Sequence, residues 1–513
     1  MAQTTLPSSP LAGGALVLAT VALSLATFMN VLDTTIANVS IPTIAGNLGV
    51  SPSQGTWVIT SFAVANAICV PLTGWLTQRF GQVRLFVGSV LLFVLASLLC
   101  GMAPSLEMLI SARVIQGAVA GPMIPLSQAL LLQCFPHEKS GMALAMWGMT
   151  TMVAPVLGPI LGGWLSDNYS WPWIFYINVP VGLGAAWLTW RILKTRESAI
   201  RKLPIDTIGL GLLVIGVGAL QIMLDKGREL DWFSSGEIVL LAVVALVMLS
   251  FFVVWELTAR HPVVDLTLFK SRNFTVGAIS LSLAFGLFFG IVVVMPLWLQ
   301  QYMGYTATWA GIVTAPIGIL ALLLSPGVGR IMPHTDPRLL ASFAFVVFAT
   351  TAFMRAGFST DSDMMTLVWP QVIQGAAMAT FFIPLTAVTL SGLAPERIPA
   401  AAGLSNFFRI MAGAMGASIS TTLWDTRAAM HHAYLTEHIT AYDVSTTRAL
   451  QGLSALGLSP TQALGALEWQ INRQAFMLSA IDLFWGAGML FLMLTFVIWF
   501  SRPIRNAPDS PNR

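Results

Sequence analysis

The sequence predicts an all-α polytopic membrane protein: two six-helix bundles plus two extra central helices, fourteen transmembrane helices in all, with both termini cytoplasmic. Three observations carry this. Of 513 residues, 56% are hydrophobic and 9% charged, against about 45–50% apolar and about 25% charged in soluble domains. Fourteen stretches are long and apolar enough for helices that cross a bilayer core, which takes about 20 residues each. A short motif recurs in two of them. The same composition excludes a water-soluble globular protein and a disordered chain, and the 43 glycines lack the period of collagen. A net charge of +3 spread along the chain gives no reason to expect a nucleic-acid partner.

In chain order the stretches are 15–44, 57–77, 85–103, 108–132, 141–165, 173–193, 205–224, 238–258, 274–299, 309–331, 339–357, 364–390, 398–424 and 476–500. The first is too long for a secretory leader and has no basic residue before it, so it reads as a retained helix. An even number of spans puts both ends of the chain on one side. Loops on that side hold seventeen Lys and Arg, loops on the other hold six, with Arg355 among the six, and Arg113 and Arg409 fall inside spans. Positive charge collects on the cytoplasmic side, which fixes the orientation.

Val114-Ile115-Gln116-Gly117-Ala118 in the fourth stretch recurs as Val372-Ile373-Gln374-Gly375-Ala376 in the twelfth, and each is followed by Ile-Pro-Leu, at Ile124 and Ile383. This pairs spans 1–6 with spans 9–14 and leaves spans 7 and 8 between them. The expected units are residues 1–200, 201–265 and 266–513. Parallel six-helix repeats are a transporter design that holds substrate at the midplane between halves. The last unit contains one long extracytoplasmic segment, 425–474, read as two short helices around Ser459-Pro460 and as a docking surface or lid. Its His431, His432 and His438 do not form a metal site, because adjacent residues cannot share a helix face. Cys69, Cys100 and Cys134 lie in or beside apolar stretches and read as structural thiols.

Ionisable residues at membrane depth cost about 2.5–3.5 kcal/mol on insertion scales, so each is a functional candidate. Asp33 lies about 11 residues, or ~16 Å, from the outer end of the first span, and Arg113 about 8 residues, or ~12 Å, from that of the fourth. At similar depth, burial opposes the Asp33 charge and a guanidinium favours it, so a substrate that disturbs either partner shifts proton occupancy. Asp482 is a second acidic candidate. Arg409 reads either as a second coupling cation or as a helix anchor. In the fifth span Gly148 leads into Ala154, Gly158 and Gly162, a small face at i, i+4, i+8, interrupted by Pro155 and Pro159. Small residues let helices approach closely enough to slide, so this face reads as a conformational interface. Gly74, Arg79, Gly81 and Arg84 make a tight cytoplasmic turn whose arginines are placed to clamp helix ends, a candidate gate. Asn38, Gln116, Gln374 and Asn406 offer neutral hydrogen bonds and Phe289 and Phe407 adaptable apolar contact, a loose substrate-binding set.

With these motifs on the page, the chain resembles the major facilitator superfamily, in its 14-helix drug:proton antiporter branch. The resemblance rests on the Asp33 stretch with Pro42, the Gly74–Arg84 turn, Arg113 with Gln116-Gly117, and the Gly-Pro helix from Gly148 to Gly163. The superfamily's turn usually carries an acid where this chain has Gln78, so a gate built on that acid does not transfer. What the resemblance implies is the major facilitator fold and proton-driven export of small hydrophobic drugs and uncoupler-like compounds. It also implies a bacterial inner-membrane setting in the lipid bilayer, with an EmrA-type periplasmic adaptor and a TolC-type outer-membrane channel as partners. The alternatives are a metabolite symporter of the same fold and a membrane-embedded lipid enzyme. His137-Glu138-Lys139-Ser140 is no HExxH motif and there is no phosphate-binding GxxxxGK[ST] loop, so no catalytic residue, cofactor or metal is expected and the driving force is an ion gradient.

Overall fold

The computed structural model describes residues 10–503 apart from residues 51, 137–138, 201–203, 205, 260–261, 438 and 441. Among the described residues there are helices and no strands. The order is α1 (Gly13–Leu48), α2 (Pro52–Gly55), α3 (Trp57–Cys69), α4 (Thr73–Phe80), α5 (Gln82–Gly101), α6 (Leu106–Ala120), α7 (Met123–Cys134), α8 (Ser140–Asn168), α9 (Trp173–Tyr176) and α10 (Asn178–Leu193). Then come α11 (Thr207–Lys226), α12 (Gly236–Thr258), α13 (Arg272–Tyr302), α14 (Ala307–Thr314), α15 (Pro316–Ile331), α16 (Pro337–Ala356), α17 (Met364–Leu390), α18 (Ile398–Glu437), α19 (Val444–Ala455) and α20 (Pro460–Val497). Among the described residues ten helical segments are long and apolar enough to cross a membrane, eleven when α3 and α4, bent by 64°, count as one. The fifth, sixth and thirteenth predicted stretches lie on α8, α10 and α18.

Helix starts follow the local sequence. Asp206, Thr306 and Asp363 precede α11, α14 and α17, and each side chain accepts an N–H of the first turn that would otherwise lack a partner. Ser459 does the same for α20, with Gln462 completing a reciprocal capping box and Pro460 at the first helical position.

The segment after the thirteenth stretch departs from the expected pair of short helices. α18 runs on to Glu437 and α20 begins at Pro460, with α19 between them. Asp425 to Glu437 contains no Pro or Gly to stop a helix. The two long helices are cross-linked by His431 Nε2 to Asp482 Oδ2 at 2.8 Å, Arg427 Nε to Asp482 Oδ2 at 3.2 Å and His432 Nε2 to Glu468 Oε1 at 2.9 Å. Asp482 thus has local partners.

One apolar core joins residues of α1, α3, α5, α7, α8 and α10, and another joins α13, α15–α18 and α20. These define an N-terminal and a C-terminal helix group. The repeated motif does the same steric job in both. A Cβ on Gly117 would lie 3.0 Å from the Phe62 Cα of α3, and one on Gly375 would lie 2.7 Å from the Leu320 Cβ of α15. Each glycine lets the fourth helix of its group lie against the second.

Candidate functional site

Gln116 and Gly117 follow Arg113 by three and four residues, so the arginine and the glutamine turn inward together on α6 while the glycine admits α3. Inside, Arg113 Nη1 donates to Asp33 Oδ2 at 2.5 Å and to Gln116 Oε1 at 2.6 Å, and Nε donates to the Val58 carbonyl at 2.9 Å. The guanidinium carbon lies 4.2 Å from the centre of the Phe62 ring. The other Asp33 oxygen accepts from Gln116 Nε2 at 3.0 Å and from Asn178 Nδ2 at 2.7 Å, and Ser97 Oγ accepts from both amides. Asp33, Arg113, Gln116, Ser97 and Asn178 are all buried. Three helices, α1, α6 and α10, therefore meet on one carboxylate inside the helix group, and α5 joins them through Ser97. Sequence reasoning found Asp33 and Arg113, placed Gln116 with the substrate contacts, and missed Ser97 and Asn178.

The C-terminal group holds a second buried guanidinium. Arg355, expected in a loop, lies in the last turn of α16 and is fully buried. Its Nη2 donates to Gln371 Oε1 at 2.9 Å and also to Gln374 Oε1, while Nε and Nη1 have no hydrogen-bond partner among the described residues. The repeat aligns Gln116 with Gln374 and Arg113 with Gln371. Both groups thus hold an arginine against the repeat glutamine, from different helices, and the carboxylate is found in the N-terminal group alone among the described residues.

The small face of α8 rests on α1 beside the ion pair. A Cβ on Gly158 would collide with the Thr35 side chain, and one on Gly162 would lie 2.8 Å from Ile36 Cγ1 and 2.9 Å from the Ile36 carbonyl. Ala154 is buried in the same row. The start of α8 touches the other group: a Cβ on Gly141 would lie 3.0 Å from the Gly329 carbonyl, and Gly148 faces Ile383. Leu144, Ala145, Val328, Met332, Ala379 and Ile383 form one buried cluster across the two groups. This end of the molecule carries both ends of the described chain: Leu11 N donates to the Cys134 carbonyl at 2.9 Å, and Arg338 Nη1, at the start of α16, donates to the Ser501 carbonyl at 3.2 Å.

Between the groups lies a small cavity of about 10 Å³, bordered by Gln128 and Trp147 on one side and by Phe382, Ser405, Asn406 and Arg409 on the other. That volume holds roughly one water molecule. Asn406 Nδ2 donates to Gln128 Oε1 at 3.4 Å across the groups, and Asn406 Oδ1 accepts from Arg409 Nη2 at 2.9 Å. The Arg409 guanidinium carbon lies 4.7 Å from the Phe285 ring centre, and Phe285 lies 5.3 Å from Phe289. Phe407 packs instead into the apolar cluster of α11, α13 and α18. Gln374 stays with Arg355. The side chains of Asn38, Pro155, Pro159 and Pro42 lie outside the described residues.

At the turn between α4 and α5, Gly81 has φ 87 and Glu197 occupies the space a Cβ would need. The Glu197 carboxylate accepts from Val83 N at 3.0 Å and Arg84 N at 2.9 Å, capping α5, with Arg84 Nε 3.9 Å away. An acid from beyond α10 thus meets this turn, where position 78 supplies none. Arg79 lies over Trp75 at 5.5 Å, and Gly74 faces Ala400 of α18.

Comparison with known proteins places this geometry. A model of the Major Facilitator Superfamily matches residues 23–417. The chain is 54% identical over 495 residues to "Multidrug export protein EmrB" of Escherichia coli (strain K12), covering 96% of this chain and 97% of that one. It is 51% identical over 494 residues to "Fatty acid resistance protein FarB" of Neisseria gonorrhoeae, with the same coverage of 96% and 97%. The crystal structure of the human organic anion transporter MFSD10 (TETRAN) superposes with a TM-score of 0.58 at 14% identity, over 94% of this chain and 99% of that one, which speaks for the fold alone.

Proposed function

Because the chain belongs to the major facilitator superfamily, we propose that it is a proton-coupled multidrug efflux transporter that exports small hydrophobic and uncoupler-like compounds by alternating access. Transport follows from the family, and export from the EmrB relatives, which are named for it. The observation that carries proton coupling is the buried Asp33–Arg113 pair at 2.5 Å, two residues from the Thr35–Ile36 contact on which α8 rests. The ionised carboxylate ties α1 to α6 and α10. A proton on it weakens the charge-assisted bond to Arg113, whose guanidinium keeps the Val58 carbonyl, Gln116 and the Phe62 ring. α1 is then freer to shift against α8, and α8 reaches the other helix group through Gly141 and Ala145. A cavity of about 10 Å³ must grow to the ~300–1,000 Å³ of a drug site, and parting the groups at the termini face does this.

In the same reading residues 1–200 and 266–513 are the rocking bundles, residues 201–265 are inserted between them, and the termini are cytoplasmic in a bacterial inner membrane. The helical projection of residues 425–474 is the surface offered to an EmrA-type adaptor, with a TolC-type channel beyond it. The reading is tested by Asp33→Asn in proteoliposomes. Efflux driven by a pH gradient should fall to background while substrate exchange without a gradient persists. Gradient-driven efflux at the parent rate would remove Asp33 from the mechanism.

A further inference from the structure

Helices α11 and α12 have no counterpart in the six-helix repeat, yet α11 packs on both groups. Leu213, Val217 and Leu224 share one buried cluster with Ala67 from the N-terminal group and with Phe274 and Met411 from the C-terminal group. At the end of α11 opposite the termini face, polar bonds leave in two directions. Toward α3, Lys226 Nζ donates to Thr56 Oγ1 at 2.9 Å and lies 5.5 Å from the centre of the Trp57 ring, and the Asp225 carboxylate lies beside the Thr60 side chain. Toward α18, Ser418 Oγ donates to the Leu224 carbonyl at 2.7 Å, Trp232 Nε1 donates to Thr422 Oγ1 at 2.8 Å, and Arg228 pairs with Asp425 at 2.8 Å.

The piece between these attachments is stiff. Asp231 and Trp232 take φ values of 54 and 49, a left-handed conformation that side chains other than glycine adopt at a cost. Trp232 N donates to the Gly227 carbonyl at 2.7 Å, the Trp232 ring covers Gly227, and Glu229 braces Lys226 at 2.8 Å. A strained turn is kept where the surroundings over-determine it. Here the surroundings are the two helix groups.

We propose that α11 and the turn at residues 227–235 form a tie between the groups that limits how far their ends separate at the face opposite the termini. The close packing of Gly74 on Ala400 and of Gly141 on Gly329 lies at the termini face, so rocking about the midplane parts the ends that the tie holds. A tie of fixed length opposes opening on its own face and leaves opening at the termini face free. This assigns the inserted pair a part in setting the conformational range, independent of which ion drives transport.

A tie has a signature that local packing lacks: cutting it at either end has the same effect, and cutting both ends adds nothing. Spin labels at Met102 and Asp361, exposed positions on the face opposite the termini, would report the separation of the groups by pulsed electron resonance in a background with Cys69, Cys100 and Cys134 replaced by alanine. One variant releases the α3 side (Lys226→Met with Thr60→Val), a second releases the α18 side (Thr422→Val with Asp425→Asn), and a third combines them. Each release should raise the population of the long distance by about threefold, the scale of breaking a partly exposed polar cluster, and the combination should match either one. An unchanged distance distribution, an effect from one end only, or additive effects would each overturn the proposal. Restoring the short distance in Arg228→Asp by adding Asp425→Arg gives a second check, and failure of that exchange counts against it.

Discussion

Arg113 supplies the positive charge that faces Asp33 within the N-terminal group, and its other bonds go to neutral oxygens. Arg113→Ala therefore leaves a buried carboxylate with amide donors alone, and breaking a buried pair by removing one partner costs about 3–5 kcal/mol. A marked fall in the thermal unfolding midpoint of detergent-solubilised protein is expected, with part of it recovered when Asp33→Asn is added. Equal midpoints for Arg113→Ala and parent would mean that Asp33 is neutral at rest. A second prediction concerns Asp443, which caps α19 outside the spans. The Ser445 hydroxyl first, and then the Thr446 N–H, hold its carboxyl down at about 2. A depressed value stabilises the folded form above the unfolded pKa of about 3.9 and loses that contribution as pH falls through about 2. Amide exchange at the start of α19 should thus be equally protected at pH 7 and pH 4.5 once corrected for intrinsic rate, and less protected in Asp443→Ala at both. Single residues were legible where charge interrupts an apolar stretch, as at Asp33 and Arg113. Ser97 and Asn178 carry no charge and become partners only when α5 and α10 pack. Arg355 sits at the end of its stretch, where a sequence cannot tell a loop charge from one folded back into the bundle.

At the scale of helices, the small face of α8 was visible as a four-residue period, but its partner was not. A stripe of Ala and Gly states that something comes close without naming it, and here the close surface is α1 at Thr35 and Ile36. Gly162→Val should force α1 and α8 apart at a cost of about 1–3 kcal/mol, read as a lower unfolding midpoint together with slower transport. Gly184 on α10 is the control, because nothing lies within 4 Å of a Cβ there. Gly184→Ala should leave transport intact and raise stability by up to about 1 kcal/mol through helix propensity. If both substitutions behave alike, close packing on α1 is not what the glycine provides. Helix ends with polar caps were predictable from local sequence, whereas the continuation of α18 and α20 beyond the apolar stretches was not. Hydropathy marks where lipid ends, and a helix that meets no Pro or Gly runs past that point, which for α18 is about a dozen residues, to Glu437.

At the scale of the whole molecule, the duplication legible in ten residues foretold two helix groups with the same close approach at Gly117 and Gly375, but not that, among the described residues, only the N-terminal group would set a carboxylate against its buried arginine. Which group faces which, and at which end they touch, depends on contacts between residues hundreds of positions apart. The Gly74–Ala400 contact gives those contacts a direct test. A Cβ on Gly74 would lie 2.6 Å from the Ala400 Cβ and 2.9 Å from its Cα, so Gly74→Val acts as a wedge at the termini face and leaves Asp33 and α8 untouched. Overpacking of this kind costs about 1–3 kcal/mol, and 1.4 kcal/mol moves a two-state ratio about tenfold. The strain falls on the state in which α4 and α18 touch, so the population with that face parted should rise by roughly tenfold. Labels at Phe80 and Glu396, both exposed, would report it as growth of a longer distance. Ala400→Gly removes the methyl that the valine meets and should return the distribution toward that of the parent. If the wedge leaves the distances unchanged in folded protein, the contact between α4 and α18 does not hold the termini face shut, and closure must rest on the cluster around Ala145 and Met332 instead.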